Sequence, residues 1–149
     1  MLSPGRGLWW RTVLSPTATT IRLVLHVLAA TIWVGGQFAL AGVVPTLRAT
    51  APDATKPVAR AFARLAWPSF AVLVVTGIWN LTEVHVTDTT TAYQVTVFVK
   101  VAFAVAAGAF TLVHQLGRTK LALALGGALG ALASLGALFL GVLLRTGTS

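Results

Sequence analysis

His26 and Lys100 are the residues of this chain whose types and positions could do chemistry inside an apolar environment. An imidazole offers a nitrogen lone pair to a metal, or a hydrogen bond to a neighbouring helix. A lysine within an apolar helix costs about 2.5–3.5 kcal/mol on insertion scales, less when its ammonium reaches the headgroups. It is kept either by that reach or by an anion such as a propionate, Glu83 or Asp88. A helix advances ~100° per residue, so His26, Ala30, Trp33 and Gln37 fall along one narrow stripe. Gly35 and Gly36 leave room beside that stripe for a neighbouring helix or a flat ligand. Ser69, Thr76 and Asn80, seven and four residues apart, share one face of a second apolar stretch. His85 follows in a loop with Glu83 and Asp88 and no Lys or Arg.

Four apolar stretches must position these groups: residues 21–44, 62–81, 95–116 and 121–144. Each is long enough to cross a hydrocarbon layer of ~30 Å at ~1.5 Å per residue. Pro45 is expected to close the first, and Thr19 or Thr20 to cap its start. Pro68 falls in the first turns of the second, where its missing donor costs least. The first and third spans run parallel, so His26 and Lys100, each about five residues in, lie ~8 Å below the same surface. The second span runs the other way and brings Thr76 and Asn80 to that level, with His85 in the loop above. His114 lies ~14 residues beyond Lys100, hence ~21 Å further along the axis. It cannot share a mononuclear ion with His26, because both nitrogens would have to lie ~2 Å from the metal. Only His85 is left as a second imidazole.

Composition limits the classes. Of 149 residues, 56% are hydrophobic and 9% charged, where a soluble domain carries about a quarter charged. The chain is expected to be an all-α integral membrane four-helix bundle, multi-pass in the cell (plasma) membrane. Residues 1–20, with Trp9 and Trp10 beside Arg6 and Arg11, read as an interfacial segment. The net charge of +8 comes from cations scattered at segment ends, which suits membrane lipid and not nucleic acid. Basic residues favour the first and third connections, so the positive-inside rule leans toward both termini outside. With no cysteine, thiolate sites and thiol nucleophiles are excluded. In the fourth span Gly126, Gly130 and Ser134 form a small-residue ladder for close helix packing, and that helix could also join two copies in a homo-oligomer.

HVLAATIWVGG followed by VVPTLR, then RAFARLAWPSFAVLVVTGIWN, then YQVTVFVKVAFAVAAGAFTLVH resembles the CopD-like copper-resistance membrane domain. The resemblance spans residues 21–116 and implies copper tolerance or uptake, beside a periplasmic copper-binding partner. The same architecture is similar to the HemJ-type protoporphyrinogen oxidases, four-helix membrane proteins that bind haem b. It implies functional roles for His26 and Lys100. Copper(I) handling usually uses soft thiolate and thioether ligands. With no Cys and only the initiator Met, imidazole-bound copper at His26, with His85 as second ligand, is what remains. Haem needs one or two axial ligands, an apolar slot and a cation for its propionates. His26, a Trp33/Gly36 wall and Lys100 would supply these, with Gln37, Thr76 and Asn80 around them. Three readings stand: a copper-handling membrane protein, a haem-b oxidoreductase, and a non-catalytic membrane subunit.

Overall fold

The computed structural model describes residues 16–147; the interfacial reading of Trp9 and Trp10 lies outside them. The first helix starts at Ala18, capped by Thr17 in a reciprocal box with Thr20. Thr20 N donates to Thr17 Oγ1 at 3.2 Å, and Thr17 N to Thr20 Oγ1 at 3.3 Å. Thr20 therefore sits three residues inside the helix and serves the cap from there. Neither Thr19 nor Thr20 is the cap residue.

Pro45 does not end this helix, which runs on to Thr50. Proline removes one ladder bond but holds a φ that a helix accepts. Beyond it the ladder continues, with Ala51 N donating to Leu47 O at 2.8 Å. Helix one closes only at Ala51, where φ is −149°. A short 3-10 turn, Pro52–Ala54, leads straight into the second helix, Thr55–Val84. The expected loop from Pro45 to residue 61 is thus mostly helix, and the second span starts well before residue 62. Its cations, Arg48, Lys56 and Arg60, ride on helix ends that extend past the apolar core. His85 stops the second helix in the left-handed region, at φ 47°. The third helix, Thr91–Leu116, is capped by Thr90, and the fourth, Lys120–Thr146, by Thr119.

All four helices are long and apolar enough to cross a membrane, at 33, 30, 26 and 27 residues. At 1.5 Å per residue they measure ~39–50 Å, so their ends reach into the headgroups on either side. The chain is an all-α, multi-pass membrane protein, a four-helix bundle. Its large aliphatics and Phe98 lie outside: Val75, Phe98, Val105 and Leu132 are all exposed. Its interior is made of small residues and a few aromatics. In lipid this is the stable arrangement, because helix association depends on close packing and not on hiding leucine.

Helices one and two form one hairpin, three and four the other. Between the first two, Trp33, Val34 and Ala66 are buried against Phe62, Trp67, Phe70 and Leu73. The ring of Trp33 lies 4.5 Å from that of Phe70 and 5.6 Å from that of Trp67. The small-residue ladder makes the second hairpin. Gly126, Gly130 and Ser134 are all buried, and a methyl group on Gly126 would come within 2.6 Å of His114 N. Gly126 and Gly130 are therefore covered by the third helix of the same chain. The hairpins join where Phe70 fills the space over Gly108, and where Trp67 Nε1 donates to Gln115 Oε1 at 2.9 Å.

Candidate functional site

His26 sits eight residues after Ala18 and Lys100 nine after Thr91, so both lie ~12–14 Å from their helix starts. Both helices begin earlier than expected, so the pair lies further from the helix starts than the ~8 Å read from the sequence. The His26 ring is half-buried against the second helix, with Nδ1 2.7 Å from Thr76 Oγ1. Thr76 is 3% exposed and its hydroxyl donates to Val72 O at 2.6 Å. A hydroxyl has a single proton. With that proton spent on Val72, Thr76 Oγ1 can only accept from the ring, so Nδ1 carries the hydrogen. Nε2 is left with the lone pair. The ring lies against the second helix at Gly77, where a Cβ would come 3.7 Å from His26 Cε1.

Lys100 stands at about the same level on the third helix. Its stem crosses the fourth helix at Gly141, where a Cβ would lie 3.3 Å from Cε. Among the described residues Lys100 has no carboxylate partner. Glu83, one of the anions expected there, instead lies 3.6 Å from Arg22 Nη1 and accepts from Trp79 Nε1 at 3.1 Å. Asp88, the other, accepts from the neighbouring Thr87 at 3.4 Å. Other groups at that rim thus claim both carboxylates. Asn80 is half-buried one turn above Thr76, on the same face.

The remaining expected residues belong elsewhere. His85 is exposed, nine residues beyond Thr76 on the same helix, hence ~13 Å from the level of His26. Its Nδ1 lies 3.3 Å from Glu83 O. No group of three or more His, Cys, Asp or Glu side chains converges among the described residues. The space at Gly36 is filled by the ring of Phe62. Trp33 and Gln37 meet the fourth helix: Trp33 Nε1 donates to Ser134 Oγ at 3.0 Å and Gln37 Nε2 to the same oxygen at 3.2 Å. Ser134 passes its own proton to Gly130 O at 2.8 Å. The single stripe of His26, Trp33 and Gln37 is thus shared between two partner helices. The reason is a π-helical turn at Thr31–Gly35, which holds more residues than an α turn and breaks the regular period. His114 lies at the other end and bonds through Nδ1 to Leu123 O at 2.6 Å.

Ser134→Ala is expected to leave both the Trp33 and the Gln37 donors without an acceptor, at a cost of about 1–3 kcal/mol. Equilibrium unfolding in mixed micelles measures it. Trp33→Phe should then cost less in the Ser134→Ala background than in the parent; equal costs would remove the hydrogen bond from the account.

Arg22 was legible in the sequence only as one more terminal cation, yet it is 6% exposed. Its guanidinium lies 5.6 Å from the centroid of Trp79. The signal for it is the spacing: Arg22 precedes His26 by four residues and shares its face. Ser134 was legible as a packing residue, and nothing in the spacing of the fourth span pairs it with Trp33. Neither a protein-family model, nor a curated protein, nor a solved structure matches the chain.

Proposed function

We propose that the chain is a CopD-like membrane protein whose chemistry centres on His26, the residue that would hold haem b. Lys100 pairs a carboxylate of that group or of its substrate. The observation that carries this reading is the one-sided bonding of the ring. An imidazole that gives Nδ1–H to a fixed oxygen is oriented and keeps its other nitrogen for a metal. Among the described residues the donor set is one imidazole, with no second ligand side chain at its level. Haem brings four nitrogens of its own and is satisfied by one axial ligand. A bare copper ion needs further donors, and the ammonium of Lys100 disfavours a cation at the same place. Gly77, lacking a side chain, lets the His26 ring lie against the second helix. When bound, haem would supply electron-transfer or oxidation chemistry; His26, Thr76 and Lys100 would bind and orient it.

Copper tolerance or uptake at the plasma membrane is the second reading, favoured by the order of the three motifs from HVLAATIWVGG to the Lys100 helix. Copper would then be cargo, and one imidazole a transient stop, with a periplasmic copper-binding partner supplying the other donor. The absorption spectrum and metal content of detergent-purified protein decide between them. The expected result is an intense band at the blue edge of the visible, absent from His26→Ala. Colourless protein that keeps about one copper per chain through dialysis transfers the site to the copper reading. With neither group bound, both are withdrawn and the non-catalytic subunit stands.

A further inference from the structure

We propose that Arg22 is the cation of an oxyanion site at the membrane rim, and that its ligand is the phosphate of an anionic phospholipid. A guanidinium carries five N–H donors and keeps its charge at any pH the protein meets. Burying one without hydrogen bonds is costly, and native proteins rarely leave it so. Arg22 is 6% exposed, its Nε is fully buried, and that atom has no hydrogen-bond partner among the described residues. The nearest carboxylate oxygen, Oε1 of Glu83, lies 3.6 Å from Nη1, beyond hydrogen-bond length. That same oxygen is already taken by Trp79 Nε1 at 3.1 Å. Glu83 is half exposed and approaches the guanidinium only loosely; it is the group that an incoming phosphate displaces.

Position selects the source of the oxyanion. Arg22 lies four residues inside the first helix and Glu83 one residue before the end of the second, so both are at headgroup depth. Beside Arg22, Ile21 and Leu25 are 53% and 43% exposed, an apolar track for acyl chains below the phosphate. A guanidinium fork matches two phosphate oxygens, and Trp79 lies beside it at the depth where aromatic rings favour the interface. A soluble anion would use the fork but gain nothing from the track.

Thermal unfolding and native mass spectrometry of the detergent-solubilised protein test this, with phosphatidylglycerol, phosphatidylcholine and inorganic phosphate as probes. Phosphatidylglycerol is expected to bind about tenfold more tightly than phosphatidylcholine. Arg22→Gln should abolish that preference, while Arg118→Gln, in the turn at the opposite rim, should keep it. Glu83→Gln should raise it severalfold and Asp88→Asn, an equal loss of charge nearby, should not. This second pair keeps the test intact where Arg22→Gln fails to fold. Equal preference in Arg22→Gln, or no gain in Glu83→Gln, overturns the site. Inorganic phosphate that competes as well as the lipid overturns the lipid as its source. Haem content plays no part in these readouts, so they stand or fall apart from the His26 reading.

Discussion

Gly126→Ala is expected to push the third and fourth helices apart and to cost about 1–3 kcal/mol of stability. The added methyl would lie 2.6 Å from His114 N, 2.9 Å from Phe110 O and 3.0 Å from His114 Cα. All three are backbone atoms of a regular helix, and none can swing aside. The helices would have to separate along the whole ladder, loosening Gly130 against Thr111 as well. Dispersion contacts fall off steeply with separation, so the loss spreads beyond the added atom. Gly42 is the control, because a Cβ there meets nothing within 4 Å. Gly42→Ala should gain about 0.5–1 kcal/mol by removing backbone freedom from the unfolded chain. Equilibrium unfolding in mixed micelles compares the two, and a Gly126→Ala protein as stable as the parent would refute the close approach.

On the haem reading proposed above, Thr76→Val should weaken binding of haem at His26 by about 10- to 100-fold while leaving the bundle assembled. The exchange keeps the shape of the side chain and removes the oxygen that accepts from Nδ1. The ring then loses its orientation and its fixed tautomer. The fold is spared because the hydroxyl proton goes to a carbonyl of its own helix, at Val72. Thr76→Ser restores the oxygen and should restore binding. Titration of haem into apoprotein in detergent reads the effect, and equal affinities for the Thr, Ser and Val proteins would sever the hydrogen bond from the ligand role.

What could be read from the residues followed the strength of each signal. Four apolar runs dominate the composition, and their lengths alone give a helical membrane bundle. The levels of His26 and Lys100 follow from parallel direction, and Thr76 comes to the same level because the second helix runs back. Helix ends were less legible. Pro45 and the charges between Arg48 and Arg60 look like a loop, but at headgroup depth a helix can carry both. The spacing also marks room at Gly36 without saying that Phe62, from the next helix, takes it. Arg22 shows the same limit. Charge near a span end ordinarily means solvent, and only the packing of Trp79 against the first helix turns it into a buried group.

The wide turn at Thr31–Gly35 makes the first helix two independently phased halves. The upper half meshes with the second helix through His26, and the lower half reaches across to the fourth through Gln37. A gear tooth out of step is what allows one rod to engage two neighbours. Taking one residue out of that turn would rotate everything from Gly36 onward by ~100°. Gln37 would swing away from Ser134 while His26 kept its place. The bonds from Gln37 and Trp33 to Ser134, one of the links between the two hairpins, thus depend on a single surplus residue, and the spacing of the polar groups along the first helix has meaning only with that residue counted.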